Sequence, residues 1–214
     1  MLRVLDIIAE VRPTTVAMEN VPDFVASSTR GHLRSVLIHA GYSIHERLFC
    51  PTQLGIPMRR NRYYLTARLD GGASTTDFPL ARTPAVQPIA PYLDTNPDPG
   101  LYLDESAVRA GGHSAHIVDA DHDAIANCFT SAYGRSPVRA GSYVRDAGGV
   151  RYFSPEEILR LMGFPRDWTF PPDMPRRIRW ELVGNSLSVD AVRAVLRDDS
   201  ARSPPLGLLA TAVE

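Results

Sequence analysis

Residues 1–70 alternate between helix-type and strand-type hydrophobic patterns, and this alternation limits the fold more than any other feature of the chain. Two segments, residues 2–10 and 33–40, carry apolar residues at helical spacing, and Gly41 ends the second. Three short apolar runs are typical of strands: residues 14–18, 43–49 and 62–69. We therefore expect an α/β fold in which residues 14–18 form a buried parallel strand.

Composition excludes several classes of protein. Hydrophobic residues make up 44% of the 214, which is enough for a buried core and excludes wholesale disorder. No apolar run approaches the ~20 residues that span a bilayer, so no membrane association is expected. The N-terminus does not resemble a signal peptide, and two cysteines cannot build a disulfide framework, which together predict a cytoplasmic protein. All 23 basic residues are arginine and the net charge is −1, so any phosphate-binding patch must use arginine.

The chain changes character after residue 70. Six prolines between residues 79 and 99 exclude a long helix there. Residues 94–143 are rich in Gly, Ser, Asp and His, which predicts a small irregular region with surface loops. Order returns where Ser154, Pro155 and Glu157 form a capping box at the start of a helix. A last helix is expected over residues 187–196, followed by a frayed tail.

Three short motifs follow one another along the chain at residues 19–21, 58–62 and 184–186. They are Glu-Asn-Val, Met-Arg-Arg-Asn-Arg and Gly-Asn-Ser. In this order they resemble motifs of the cytosine-5 methyltransferases, with Met58 where that family usually has Gln. A further segment, Cys128-Phe129-Thr130 followed by Tyr133, is similar to the branch of the family that methylates tRNA(Asp) in its anticodon loop. The resemblance covers residues 2–70 and 128–197.

The resemblance implies the latter half of a doubly wound, S-adenosylmethionine-dependent methyltransferase fold with a small target-recognition region. Residues 1–70 would then be the C-terminal half of the methyltransferase core and residues 71–150 the target-recognition region. Residues 151–199 would be helices returning to the core, and residues 200–214 a flexible tail. A sheet that lacks its first half exposes an apolar edge and face, so we expect poor stability alone or pairing with another chain.

The resemblance also assigns roles to individual residues. Glu19 would be the acid that hydrogen-bonds N3 and the exocyclic amine of the target cytosine. Arg62 would hold O2 of the base, and Arg60 would orient the catalytic loop or a nearby phosphate. Asn185 and Ser186 would close the S-adenosyl-L-methionine pocket just before the last helix, where free N–H groups favour a carboxylate. Without a ligand, the same Gly-Asn-Ser motif is a helix N-cap, and residues 59–62 are a solvated charge run.

Substrate contacts are expected chiefly from the segment that begins at residue 127. The candidate substrate-binding residues are Asn20, Cys128, Phe129, Thr130, Tyr133 and Arg135. Four arginines and two tyrosines of this region could grip phosphates and stack on unpaired bases: Arg135, Arg139, Arg145, Arg151, Tyr133 and Tyr143. The favoured partner is tRNA, with DNA possible, and scattered surface arginines are the alternative interpretation. Three histidines at 113, 116 and 122 fit no structural zinc pattern, so no metal site is expected.

The nucleophile that the resemblance implies is not found in this sequence. The family's reaction begins with a thiolate from a Pro-Cys motif attacking carbon-6 of cytosine, and neither cysteine follows a proline. Cys50 is interpreted as an ordinary buried thiol, and Cys128 as a residue near the substrate rather than the catalyst. We expect a chain that is inactive alone, because the gene is split, the start codon is misplaced or the sequence is a decayed remnant. The alternative function is a catalytically inactive fragment that binds nucleic acid or a partner.

Overall fold

The computed structural model describes residues 2–69, 75–77, 83–104, 106, 116–122, 124–135 and 140–201. The chain divides into two compact units. The first unit comprises Met1–Leu48, Tyr63–Pro79 and Val192–Glu214, and the second comprises Phe49–Arg62 and Leu80–Ala191. The units cut across the boundaries predicted at residues 70 and 150, since residues 49–62 belong with the later part of the chain. The predicted tail, residues 200–214, lies almost wholly outside the described residues.

The first unit is built around the predicted helices and strands. Its elements are α1 (Leu2–Val11), β1 (Thr15–Asn20), a 3₁₀ turn (Pro22–Ala26), α2 (Ser28–His39), β2 (Tyr42–Phe49), β3 (Arg62–Leu69) and β4 (Thr75–Asp77). Ser27 begins α2 by accepting a hydrogen bond from the Arg30 amide at 3.1 Å, and Gly41 follows its end with φ of 85°. The strand order of the sheet is β1-β3-β2-β4. The α/β prediction for this region is therefore confirmed.

The prediction that the first strand is buried and parallel is wrong. Strand β1 runs antiparallel to β3, with Glu19 opposite Tyr64 and Asn20 opposite Tyr63, whereas β2 and β4 are parallel. Within the described residues β1 is an edge strand: Val16 and Met18 pack against the core, whereas Thr15 and Ala17 are exposed. A short apolar run carries no information on strand direction, and this one is too short to separate full from one-sided burial.

The core of the first unit lies between the two helices and the sheet. Its fully buried members include Leu5 and Ile8 of α1, Leu33 and Leu37 of α2, and Leu65 of β3. The helical spacing in the sequence is confirmed by the burial of the four helix positions, because residues three or four apart lie on one face of a helix. Beside this core, the Glu46 carboxylate accepts hydrogen bonds from the Tyr63 hydroxyl and the Arg30 guanidinium and also forms an ion pair with Arg34.

The second unit contains a smaller sheet and helices packed on it. Its elements are β5 (His116–Asp119), β6 (Ser142–Asp146), β7 (Gly149–Tyr152), α3 (Pro155–Leu161) and α4 (Arg176–Asn185), followed by α5 (Val189–Ala201), along which the chain passes back to the first unit. Strands β5 and β6 are parallel, and β6 and β7 form an antiparallel hairpin. The region predicted to be irregular is thus partly a sheet, because short polar strands that pair with distant segments leave no clear pattern in the sequence.

The helices of the second unit agree only in part with the sequence analysis. The capping box is confirmed, since the Ser154 hydroxyl accepts from the Glu157 amide at 3.1 Å while the Glu157 carboxylate accepts from the Ser154 amide at 2.8 Å. Helix α4 was not predicted, because three arginines and a central Trp180 obscure its apolar face. The last helix begins at Val189 rather than Leu187, and Ser188 caps it by accepting from the Ala191 amide.

Aromatic side chains fill the core of the second unit. The cluster consists of Phe129, Tyr133, Tyr143, Tyr152, Phe153 and Trp180. Most of its rings contact one another edge to face at centroid separations near 5 Å, for example 5.0 Å between Phe129 and Tyr133. Beneath this cluster Arg151, 1% exposed, forms a buried ion pair with Glu157 and a second with Asp146. These contacts fix the segment that carries residues 128–133.

Candidate functional site

Arg60 joins two of the predicted motifs to each other within the second unit. Its Nη1 donates to the Phe129 carbonyl at 3.1 Å, and its Nη2 donates to the carbonyls of Gly184 at 3.2 Å and Ser186 at 2.5 Å. The residue is 4% exposed, so the guanidinium is largely withdrawn from water. A phosphate contact, one of the two roles expected for Arg60, does not fit this burial. The arginine instead connects the Cys-Phe-Thr segment to the Gly-Asn-Ser turn.

Gly184 brings the same two motifs into direct backbone contact. A Cβ atom at this position would lie 2.3 Å from the Ser131 nitrogen and 2.4 Å from the Thr130 oxygen, so no larger residue fits without a backbone shift. The first residue of the Gly-Asn-Ser motif is therefore required by packing. Sequence analysis placed the motif correctly but missed this reason, since the contact joins positions far apart in the chain.

Cys128 lies beside two guanidinium groups. Its Sγ accepts from Arg60 Nη1 at 3.5 Å and from Arg62 Nη2 at 3.7 Å, and its thiol donates to the Phe129 carbonyl at 3.6 Å. Arg62, the first residue of β3, thus reaches the segment that the resemblance assigns to the substrate. Cys50, interpreted as an ordinary buried thiol, is only half-buried, and its Sγ accepts from the Arg60 amide at 3.4 Å.

A second polar contact, which sequence analysis missed, holds the backbone just before Cys128. The Ser142 hydroxyl accepts from the Asn127 amide at 2.7 Å and lies 2.8 Å from His116 Nδ1. Arg59 donates to the Asn127 side chain at 3.4 Å. Burial, and secondarily the positive charge of Arg59, lower the pKa of His116 below its ordinary value, which favours neutral imidazole. No local sequence signal marks Ser142, because the two partners of its hydroxyl, His116 and Asn127, come from other segments of the chain.

Two aromatic residues proposed to meet the substrate are core residues. Phe129 is 0% and Tyr133 2% exposed, and the Tyr133 hydroxyl donates to the Ser142 carbonyl at 2.6 Å while accepting from the Phe153 amide. Burial raises the pKa of Tyr133 well above its ordinary value. Tyr143 is also buried, so the rings of these residues present no open face to a base. The stacking on unpaired bases that was expected of Tyr133 and Tyr143 does not fit this burial.

The arginines of this region differ in their access to solvent. Arg151 is buried in its ion pairs and cannot reach a phosphate, which corrects that prediction. Arg135 is exposed, donates to the Ser131 carbonyl and lies 4.0 Å from Glu181, whereas Arg145 pairs with Asp119 on the surface. Arg139 lies outside the described residues. Arg135 therefore remains available as a surface contact beside the half-buried Thr130.

Glu19 and Asn20 belong to the first unit, at the end of β1. Both are half-buried, and the Asn20 side chain accepts the Val21 amide at 2.8 Å, which holds the chain as it leaves the strand. The remaining predicted residues, from Arg60 to Ser186, belong to the second unit. Met58, where the family usually has Gln, is fully buried in the second core and pairs through its backbone with Ala126.

Asn185 and Ser186 lie just before the last helix, as predicted, but they form the end of α4 rather than the N-cap of the last helix. Asn185 is the final residue of α4 and is exposed, and the Ser186 hydroxyl donates to the Leu182 carbonyl at 2.9 Å. At the start of α5, the Val189 amide donates to the Met162 carbonyl at 2.7 Å, and Ser188 occupies the Ala191 amide. The free N–H groups expected there are thus partly used, and the exposed Asn185 amide is the group that the turn offers a ligand.

The histidine region shows no metal-binding arrangement among the residues that the structure describes, where no three His, Cys, Asp or Glu side chains converge. His113 lies outside those residues. Across the described ranges, the helices are too short or too polar to traverse a bilayer.

Comparison with known proteins identifies the family to which this arrangement belongs. The sequence profile of the family described as C-5 cytosine-specific DNA methylase matches residues 1–199. The tRNA (cytosine(38)-C(5))-methyltransferase of Schizosaccharomyces pombe is 31% identical in an alignment of 218 positions, which covers 89% of this chain and 66% of that protein. The type II methyltransferase M.BsuFI of Bacillus subtilis is 28% identical, over 90% of this chain and 49% of its own length.

Solved structures agree with the sequence comparison. The structure of the S. pombe Dnmt2 methyltransferase superposes with a TM-score of 0.80 at 27% identity, covering 91% of this chain and 69% of that chain. Entamoeba histolytica EhMeth, at 24% identity and a TM-score of 0.80, has the same fold. The predicted methyltransferase fold is therefore confirmed, and the chain spans about two thirds of the S. pombe relative. Enzymes of this family use S-adenosyl-L-methionine as methyl donor. On these grounds, the chain belongs to the C-5 cytosine-specific DNA methylase family.

Proposed function

We propose that this chain forms part of an S-adenosyl-L-methionine-dependent cytosine-5 methyltransferase that acts on tRNA in the cytoplasm. The observation that carries the proposal is the junction at Arg60, where the arginine motif, the Cys-Phe-Thr segment and the Gly-Asn-Ser turn meet through hydrogen bonds. Motifs that matched by chance would have no reason to converge on one buried guanidinium.

Glu19 and Arg62 are the proposed catalytic residues of this chain. Addition of a nucleophile to carbon-6 moves electron density onto the ring, and a carboxyl group at N3 stabilises that charge while holding the exocyclic amine. Glu19 is half-buried at a strand end, a position from which a side chain can reach a ligand. Arg62 would hold O2 of the base, and its contact with Cys128 places it beside the proposed substrate segment.

Asn185 and Ser186 are the proposed cofactor residues. The exposed Asn185 amide can both donate and accept, which suits the polar groups of S-adenosyl-L-methionine, the source of the methyl group. The Ser186 hydroxyl is committed to Leu182, and its carbonyl to Arg60, so Ser186 would shape the turn rather than bind directly. These residues fit one wall of a cofactor site.

The substrate is proposed to be tRNA, with DNA as the alternative. Several of the similar proteins are tRNA (cytosine(38)-C(5))-methyltransferases, and the Bacillus and Moraxella relatives are type II methyltransferases. Cys128 and Thr130 are half-buried, and Arg135 is exposed, so these three can meet a nucleotide directly. Phe129 and Tyr133 would support that surface from below. Asn20 would act by holding the backbone beside Glu19.

Activity is proposed to require a further segment that supplies the nucleophile. The 214 residues contain no Pro-Cys dipeptide. Helix α1 carries an apolar arc wider than its buried face: Leu5 and Ile8 are buried, whereas Val4, Ile7 and Val11 are 50%, 49% and 65% exposed. Together with the edge strand β1, this surface suits an α/β segment that bears the Pro-Cys motif and the glycine-rich loop.

The proposal is tested by reconstitution. Transfer of tritium from labelled S-adenosyl-L-methionine to tRNA and to duplex DNA is measured with the chain alone and with a fragment of the S. pombe relative, namely the third of that protein that this chain does not match. Transfer to tRNA only when both are present supports the proposal. Preference for DNA would refute the substrate assignment. Nucleic-acid binding without transfer in any mixture would instead support the inactive binding fragment.

The docking surface on α1 is tested separately. Ile7→Lys places a charge in the exposed apolar arc and should weaken capture of the fragment at least ~10-fold, since a buried unpaired charge opposes association. Ile38→Lys is the matched control, because Ile38 is also exposed, on α2. Equal effects of the two substitutions would contradict the assignment of this surface.

A further inference from the structure

Arg60 contacts two segments that the proposed function assigns to different ligands. We define the target segment as residues 127–131 and the glycine turn as residues 184–186. We infer that Arg60 is a positioning residue that holds the target segment and the glycine turn together as one rigid group. A ligand that orders either segment therefore also orders the other. This inference rests on the proposed function, which places tRNA at the first segment and the cofactor at the second.

The shape of the guanidinium supports the inference. Nη1 serves the target segment through the Phe129 carbonyl at 3.1 Å, while Nη2 serves the glycine turn through Gly184 at 3.2 Å and Ser186 at 2.5 Å. The two amino groups are held in one rigid plane, so movement of one displaces the other. Since Arg60 is 4% exposed, water cannot readily replace a lost bond.

The base of Arg60 is itself anchored to the start of the target segment. The Arg59 amide donates to the Ala126 carbonyl at 2.8 Å, and the Ala126 amide donates to the Pro57 carbonyl at 2.9 Å. The Arg60 amide donates to Cys50 Sγ. These bonds hold the Arg60 backbone beside the target segment, from where its side chain reaches the glycine turn.

Direct backbone contact between the target segment and the glycine turn also holds them in one rigid group. Gly184 lies against the backbone of Thr130 and Ser131 so closely that an added Cβ would be 2.3 Å from the Ser131 nitrogen. The glycine therefore sets the separation of the two segments, and the guanidinium sets their alignment. Coupling between two ligands through one rigid group is reciprocal, so tRNA and S-adenosyl-L-methionine are each expected to raise the affinity of the chain for the other.

The test measures amide hydrogen exchange in the 214-residue chain, in peptides that contain the Thr130 and Ser186 amides. Arg60→Met should raise exchange of both peptides together by at least ~10-fold, since each loses a buried hydrogen bond. Arg60→Lys keeps the charge but has a single ammonium, so it should restore one peptide and leave the other fast. Arg59→Met is the matched control and should leave the Ser186 peptide unchanged. A peptide from α3 separates local loosening from unfolding of the whole unit.

Three results would overturn the inference: exchange that rises in only one peptide of Arg60→Met, exchange that rises equally in α3, and full protection of both peptides in Arg60→Lys. A kinetic measurement on the reconstituted enzyme adds an independent readout. There, Arg60→Lys should raise KM for S-adenosyl-L-methionine and for tRNA by similar factors, whereas a change in only one KM would count against coupling. Because hydrogen exchange needs no activity, an inactive mixture with coupled exchange would refute the proposed function and leave the positioning role of Arg60 intact.

Discussion

Replacement of Gly184 by alanine tests whether the Gly-Asn-Ser turn and the Cys-Phe-Thr segment meet as described. The added Cβ would lie 2.3 Å from the Ser131 nitrogen and from the Thr130 carbonyl carbon, which are backbone atoms that cannot rotate away. Overpacking of this kind costs about 3 kcal/mol, and the better helix propensity of alanine recovers at most about 1 kcal/mol. We therefore expect Gly184→Ala to lower the free energy of unfolding of the second unit by about 2 kcal/mol.

Urea denaturation followed by tryptophan fluorescence measures this loss. Both tryptophans of the chain, Trp168 and Trp180, belong to the second unit, so their emission reports its unfolding. With a denaturant slope of about 2 kcal/mol/M, the midpoint should fall by about 1 M. The matched control is Gly31→Ala in α2, where an added Cβ meets nothing within 4 Å. Because Gly31 belongs to the first unit and neither tryptophan does, far-UV circular dichroism follows the unfolding of this variant. This control should be neutral or stabilising by up to about 1 kcal/mol. Wild-type stability of Gly184→Ala, or an equal loss in the control, would refute the reasoning.

Three further predictions concern charge. Arg151→Met should destabilise the second unit by about 3–5 kcal/mol, because it leaves Glu157 buried without its cation. Arg145→Met, at an exposed ion pair, should cost less than about 1 kcal/mol in the same urea titration. Comparable losses in the two variants would contradict the burial of Arg151. Because the folded-state pKa of His116 is lowered, the stability it contributes is fully present above its unfolded pKa near 6.5 and is lost as pH falls toward the folded value. His116→Gln should therefore flatten the fall in unfolding free energy below about pH 6.5, and an unchanged slope would show that another group is responsible. In the reconstituted enzyme, Glu19→Gln should reduce the rate of methyl transfer at least ~100-fold, because it removes the proposed acid. Asp173→Asn, at an exposed position of the second unit, should leave the rate unchanged, and an unaffected rate in Glu19→Gln would rule out its role as the acid.

The sequence predicted those elements whose cause is local. The helices at 2–10 and 33–40 follow from apolar residues three and four apart, and the capping box at Ser154 follows from three neighbouring side chains. The motifs at residues 58–62 and 184–186 can also be recognised from the sequence, because each consists of consecutive residues. Such motifs indicate the family without any knowledge of the tertiary structure.

The same local reasoning failed where a residue's role depends on distant partners. Tyrosine and phenylalanine suit both base stacking and core packing, and Phe129 and Tyr133 became core residues because other aromatics, from Tyr143 to Trp180, surround them. The direction of β1 was misjudged for a similar reason, since pairing with β3 is a long-range choice that a six-residue strand does not encode.

By itself, then, the sequence determined the α/β character of the first 70 residues, the positions of the motifs and the family they belong to, because periodicity, capping and motif spacing act over a few neighbouring residues. Only the tertiary structure decided what those motifs touch. Arg60 meets Phe129, Gly184 and Ser186 across long stretches of chain, and these contacts turn an arginine that resembles a phosphate ligand into a buried connection between two segments. Such contacts arise when the whole second unit closes around one polar group that must find hydrogen-bond partners once it is removed from water.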